Sequence, residues 1–407
     1  MPAKRWFKIL GRLAVLGIVG LAGLLGAIRF EHGRSITLPA PTGHFAVGRT
    51  TFHWVNPAQT DEFAPTPEAK REVVAWIWYP AAVTASSKEA EYLPKPWRTA
   101  LASYSGPIMS GLLTRDPAKV RAHSFVDVEV SPEQQAYPVV ILRGGLGAPV
   151  TDFTTLAEDL ASHGYVVAGF DAPYRTIVVV FPDGRVVTRN PESNPENYPT
   201  AQAEKLGNRL CAMWTSDSRF VADQLEQLNS SDGSGRFTGR LAITKLGMFG
   251  HSLGGATAAE FCHEEARCKA GIDMDGRLFG SVLQEGLQKP FLFMMSDHSG
   301  ERRDAEGGKI LDEIQAAYNS LPGGRGGLLT IRGTNHFSFS DQILLKSQVL
   351  MAALRAVGVT GKTGPRRGLQ ISAAYVSGFF DTYLRGEPDG RWKKLAAEYP
   401  EVSAEMK

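Results

Sequence analysis

The segment that most constrains this chain is Lys245 to Gly255, K-L-G-M-F-G-H-S-L-G-G, continuing through Ala256 and Ala258. The apolar run predicts a buried strand and the small-residue continuation predicts a helix, so Gly250-His251-Ser252-Leu253-Gly254 falls on a strand-to-helix turn. A turn this tight strains the serine backbone, and the flanking glycines keep side chains out of the crossing of strand and helix. It holds a serine hydroxyl up at the carboxyl edge of a sheet. Ser252 is therefore the candidate nucleophile.

The rest of the chain supplies a sheet for that edge. Short apolar runs at Val73 to Tyr79, Val139 to Leu142, Tyr165 to Phe170, Leu246 to Phe249, Gly271 to Met274, Phe291 to Met295 and Leu328 to Ile331 are bounded by Gly, Pro or Asp. They alternate with helical patterns near 153–163, 202–228, 255–263, 309–318, 342–357 and 371–384. This rhythm predicts an α/β fold, a mostly parallel sheet covered by helices on both faces. Residues 48–55 read as one edge strand after a Pro- and Gly-rich connector. Two segments break the rhythm, near 93–121 and 172–200, the second holding a hairpin at 176–188 around Pro182-Asp183-Gly184. Lying between strands, both are placed to shape the mouth of a pocket. Residues 36–407 thus read as one α/β domain with insertions.

The first 35 residues differ in kind. Lys4, Arg5, Lys8 and Arg12 precede an uncharged stretch from Leu13 to Ile28, closed by Arg29. Cleavage after Ala27 would put Leu25 where a small residue is wanted, and cleavage after Ala22 would shorten the apolar core, so an uncleaved membrane anchor is favoured over a signal peptide. The basic flank sets the N-terminus in the cytoplasm and the remaining chain outside it, on the periplasmic side in a bacterium. Secretion after cleavage is the alternative.

Elsewhere composition mainly excludes. Lys and Arg number 44 against 42 Asp and Glu, so no global field recruits nucleic acid. Cys211, Cys262 and Cys268 are too few for a disulfide framework and match no zinc spacing, although Cys262 and Cys268 are close enough for one local bridge.

A serine hydroxyl needs a histidine to take its proton and a carboxylate to orient that histidine, in the chain order Ser, acid, His. His336, in Arg332-Gly333-Thr334-Asn335-His336-Phe337, follows the last predicted strand and is the expected base, with His298 second. Two carboxylates end successive strands, Asp275 and Asp297, and position alone favours Asp297. Asp273 lies inside a strand and reads as structural. The oxyanion donors are expected from the backbone N–H of Leu253 and from the loop Arg143-Gly144-Gly145-Leu146-Gly147-Ala148.

With these pieces in place, the chain resembles the platelet-activating-factor acetylhydrolase family, calcium-independent phospholipase-like esterases of the α/β-hydrolase fold. The resemblance runs from about Gly48 to Gly386. It rests on Gly145 to Ala148, on Leu160-Ala161-Ser162-His163-Gly164-Tyr165-Val166-Val167, on Gly250 to Gly255, on Gly271-Ile272-Asp273-Met274-Asp275-Gly276, and on Arg332 to His336 followed by Phe339-Ser340-Asp341. It implies Asp275 rather than Asp297 as the acid, Leu146 and Leu253 as oxyanion donors and His336 as base. Where the family commonly has His before Gly-Leu-Gly-Ala, this chain has Gly144, so the acyl pocket need not be lined as the family's is.

The implied activity is hydrolysis of short-chain or oxidised acyl esters, on phospholipids or on small esters, with no metal or cofactor. Dienelactone-hydrolase-like or general small-ester hydrolysis is the alternative substrate reading. A membrane-tethered binding protein without turnover is the alternative from another class, and it predicts a damaged triad. Calcium chelation should leave the hydrolysis of a p-nitrophenyl ester unchanged, and a large loss on adding a chelator would overturn the implied mechanism.

Overall fold

Within the residues that the computed structural model describes, 2–297, 305–356, 361–388 and 390–407, the apolar runs pair into one thirteen-stranded sheet. In chain order the strands are β1 Ile36–Thr37, β2 Ala46–Thr60, β3 Lys70–Ala82, β4 Glu89–Glu91, β5 Val120–Val126, β6 Glu129–Val130, β7 Tyr137–Arg143, β8 Val166–Asp171, β9 Val178–Val180, β10 Val186–Thr188, β11 Leu241–His251, β12 Cys268–Met274, β13 Phe291–Met295, β14 Gly326–Ile331 and β15 Val402–Met406. The main path is β1-β5-β2-β3-β8-β7-β11-β12-β13-β14-β15, and β9 and β10 form a separate hairpin. From β8 to β14 every pairing is parallel. The pairings of β2 with β3, β3 with β8 and β14 with β15 are antiparallel.

The centre of the sheet is buried on both faces, which is why its strands read as unbroken apolar runs rather than alternating ones. In β7 the period of two still sorts the side chains: Val140 and Leu142 enter one core, Val139 and Ile141 the other. The first core is closed by the helices Thr154–Ser162 and Pro365–Phe380, and the second by Thr200–Ser230, Leu253–Glu264 and Ala305–Ser320.

Two expectations need correction at the rims. The strand expected at the edge, β2, lies inside the sheet, between β5 and β3. Residues 120–126, which overlap the end of the insertion expected near 93–121 and run on past it, extend the sheet as β5. At the other rim Val402–Met406, short and alternating, adds β15 to β14. A half-exposed strand carries little apolar signal of its own and is revealed only by its partner. The hairpin at 176–188 forms as expected from β9 and β10.

The N-terminal helix spans Pro2–His32, and its stretch Trp6–His32 is long and apolar enough to cross a membrane. Most of it is exposed, but Ile28 and Glu31 are buried. The Glu31 carboxylate accepts the N–H groups of Gln348 (3.0 Å) and Val349 (3.1 Å) and the Ser347 hydroxyl (2.8 Å), and pairs with Arg115 at 2.9 Å. It therefore caps the helix Gln348–Ala356 from outside, satisfying donors a helix start leaves open. That cap accounts for a break in the helix expected over 342–357, which forms as Gln342–Leu345 and Gln348–Ala356. Cys262 and Cys268 are joined by a disulfide between the end of the helix Leu253–Glu264 and the start of β12. Replacing Glu31 with Ala in the full chain should cost about 1 to 2 kcal/mol, the worth of a helix cap. Thermal unfolding followed by circular dichroism should show a midpoint lower by several degrees, and an unchanged midpoint would mean the cap is idle.

Candidate active site

The elbow is governed by backbone contact. Ser252 has φ 57° and ψ −126° between β11 and the helix Leu253–Glu264. A Cβ on Gly250 would lie 2.2 Å from the Gly254 carbonyl oxygen, and one on Gly254 would lie 2.2 Å from that of Arg143. No side chain fits either place, so both positions require glycine. The Ser252 N–H donates to the Met274 carbonyl at 2.9 Å, tying the turn to β12. A residue held in this region costs about 1 to 3 kcal/mol, which the surrounding sheet sustains.

His336 opens a 3₁₀ turn, His336–Phe339, started by Asn335, whose side chain accepts the Phe337 N–H. Its Nδ1 lies 2.8 Å from Asp275 Oδ2. With an ionised carboxylate as acceptor, Nδ1 carries the proton and Nε2 is left with a lone pair. Asp275 sits just past β12 at φ 59°, and its carboxylate accepts the Ser296 N–H at 2.7 Å and the Ser296 hydroxyl at 2.9 Å. His336 bonds Asp275 and, through its carbonyl, His251, whereas no hydrogen bond to Ser252 Oγ forms among the described residues. In free hydrolases this last contact is often long and closes on substrate.

Of the two other carboxylates weighed from the sequence, Asp297 accepts the Gly333 N–H at 2.8 Å and so braces the loop that carries His336. Asp273 accepts the Gly276 N–H at 2.9 Å beneath the elbow helix. His298 lies outside the described residues.

Leu253 begins the elbow helix, and Leu146 sits in the loop after β7. Among the described residues, neither backbone N–H finds a carbonyl acceptor. The loop closes directly on the elbow, since a Cβ on Gly145 would meet Ser252 Cβ at 3.0 Å. The hairpin insertion holds the loop's far end, where the Ile177 N–H donates to the Gly147 carbonyl at 2.9 Å. Leu253, Phe63, Leu206, Leu210 and Trp214 form a small apolar cluster, with Leu146, Tyr174 and Phe279 half-buried against it. A cavity of 530 Å³ opens beside the His336 loop, lined by Met109 and Ile177 from the two insertions and by Pro149, Gln342 and Lys346.

Three residues at the site escaped the sequence reading. Ser296 showed no pattern, because its role depends on β13 lying beside β12. Arg143 is fully buried, with its guanidinium 3.9 Å from the Trp214 ring centroid. His251 carries no signal of its own within the motif, and its Nε2 lies 2.7 Å from the His336 carbonyl oxygen.

A sequence profile of the family described as "Platelet-activating factor acetylhydrolase, isoform II" matches residues 31–176 and 223–397. A "Probable 1-alkyl-2-acetylglycerophosphocholine esterase" of Arthroderma benhamiae is 23% identical over 96% of this chain and 99% of its own length. A platelet-activating factor acetylhydrolase of Bos taurus is 24% identical, covering 53% of this chain, which spans about half (51%) of that protein. Among solved structures, a ferulic acid esterase from Streptomyces cinnamoneus superposes with a TM-score of 0.74 at 28% identity, covering 91% of this chain and 99% of that one.

Around the site, burial pushes the carboxyls of Asp152, Asp171 and Asp341 up to about 6, 7 and 8. The folded chain therefore holds protons that the unfolded chain has already released, and this contribution to stability is lost as pH rises through those values. His251, pushed down to about 3 by burial and then by the neighbouring His336, acts with the opposite sign, but only below about 6.5. The melting temperature should fall as the pH is raised from 6.5 through 8, and Asp341→Asn should flatten the fall. A melting temperature that rises across that window would contradict the assignment.

Proposed function

Because the chain belongs to the platelet-activating factor acetylhydrolase, isoform II, family, we propose that it hydrolyses short-chain carboxylic esters, acetyl esters of phospholipids among them, through Ser252, His336 and Asp275. The observation that carries this reading is the 2.8 Å bond from His336 Nδ1 to Asp275 beside a serine held at φ 57° on the strand-to-helix elbow. Ser252 Oγ attacks the ester carbonyl while His336 Nε2 takes its proton. Asp275 orients the imidazole and stabilises the imidazolium, itself remaining ionised. The N–H groups of Leu146 and Leu253 bind the tetrahedral oxyanion, a contribution of about 3 to 4 kcal/mol for each donor of this kind. The proton passes to the leaving alcohol, and water activated by His336 releases the acid from Ser252.

The acyl group is best accommodated against Leu146, Leu253 and the apolar cluster of Phe63, Leu206 and Trp214. The aromatic share of that cluster, with Tyr174 and Phe279 at its edge, together with the likeness to a ferulic acid esterase, supports aromatic acyl esters as a second substrate class. The helix Trp6–His32 supports a membrane tether, with the α/β domain outside the cytoplasm as the reading of the basic flank; secretion after cleavage is the competing reading.

The test is hydrolysis of p-nitrophenyl esters from acetate to palmitate, with methyl ferulate alongside, by the detergent-solubilised full chain. Activity confined to short chains should vanish in Ser252→Ala, while turnover in that variant would end the serine mechanism. Asp275→Asn should lose roughly ten-thousand-fold, as in the serine-protease triad, and Asp297→Asn far less. The reverse ranking would transfer the acid to Asp297.

A further inference from the structure

The residue between Gly250 and Ser252 in the elbow motif lies against both the His336 turn and the loop after β7. His251 is buried, at 5% exposure. Its Nε2 lies 2.7 Å from the backbone carbonyl oxygen of His336, and the two imidazole rings lie 4.4 Å apart between centroids. On its other edge, a Cβ placed on Gly145 would come within 3.3 Å of His251 Nδ1, so the loop carrying Leu146 closes against the same ring. Phe153 and Phe339 pack against it at 5.6 and 6.0 Å.

We propose that His251 is a positioning residue for the base: its Nε2–H holds the His336 backbone, and thereby the height of the His336 imidazole above Ser252. This rests on the triad reading above. A carbonyl oxygen can only accept, so Nε2 is the protonated nitrogen of His251. The nucleophile is the next residue along the chain, so this single bond links the backbone of the serine to the backbone of its base. The Asp275 bond sets the rotation and tautomer of the His336 ring but leaves the height of its loop open. Asn335 and Asp297 brace that loop from outside the site, whereas His251 braces it from within.

Burial keeps His251 neutral. Among the described residues, the titratable groups beside it are His336 and Asp275. When His336 takes the serine proton, the His251 ring therefore sets no second cation against it. A lysine or arginine at 251 could donate the same bond but would oppose that charge.

The role separates from mere packing by the chemistry of the replacement. His251→Phe keeps a ring of similar size and removes the donor. His251→Gln keeps an N–H group at nearly the same reach. With p-nitrophenyl acetate, the Phe variant should lose about a hundred-fold in kcat, the scale of a misplacement near 1 Å, with KM within about threefold. The Gln variant should recover to within about tenfold of the parent.

Phe-variant turnover within threefold of the parent would overturn the proposal. So would a folded Gln variant as damaged as the Phe variant. If His251→Phe does not fold, the Gln variant decides alone, near-parental kcat supporting the role and a hundred-fold loss at an unchanged melting temperature refuting it. Ser252→Ala measured in parallel separates this from the mechanism itself: activity surviving there overturns the triad, whereas its loss there with an unaffected Phe variant overturns only the role of His251.

Discussion

The site hangs on a contact between backbones. At the elbow, Gly250 and Gly254 bring β11, the helix Leu253–Glu264 and the Arg143 carbonyl so close that a single methyl group would lie 2.2 Å from a carbonyl oxygen. This crossing is what lets Ser252 sit at φ 57°, project from the sheet edge and leave the Leu253 N–H at the open start of a helix. Most of what surrounds the serine serves to hold the turn down. Ser252 is tied to Met274, Asp275 to Met294, and the loop after β7 lies on Ser252 through Gly145. Strain of this kind persists only where neighbours over-determine it.

Around that turn, carboxylates with similar sequence settings are divided by their partners. Asp275 and Asp297 both leave the ends of parallel strands, one strand apart. Asp275 reaches the His336 imidazole and is fixed by two bonds from Ser296, whereas Asp297 accepts from the backbone of the His336 loop at Gly333. Asp273, three residues before Gly276, is spent beneath the elbow, and burial pushes its carboxyl well above the usual range. Orientation relative to a neighbouring strand, and not proximity in the chain, assigns each one its task.

The attachment of the N-terminal helix follows a similar logic. Its apolar length says only that it can lie in a membrane. Glu31, one charged residue in its last turn, makes the junction specific by capping Gln348–Ala356 and pairing with Arg115 of the first insertion. The helix is thereby mounted on the side of the domain where the first insertion and the helix Gln348–Ala356 meet, next to the cavity lined by His32 and Met109.

Much of this was legible in the sequence, because the elbow, the parallel core strands and the His336 loop are each made by neighbours in the chain. Apolar runs buried on both faces, glycines forced by a crossing, and Asn335 capping the turn of His336 are local necessities and leave local marks. The rims β5 and β15 left almost none, since a half-exposed strand is defined by what it pairs with. By itself the sequence determined an α/β chain with a serine at a strand-to-helix turn and a histidine on a late loop, while Asp275 in place of Asp297 as the proposed acid came from the family likeness. Only the tertiary structure decided that Ser296 braces Asp275, that Asp297 serves the loop, that Glu31 caps a helix more than three hundred residues away, and that His251 reaches the His336 carbonyl. Those are contacts between segments far apart in the chain, and their geometry exists only once the sheet has set the order and register of its strands.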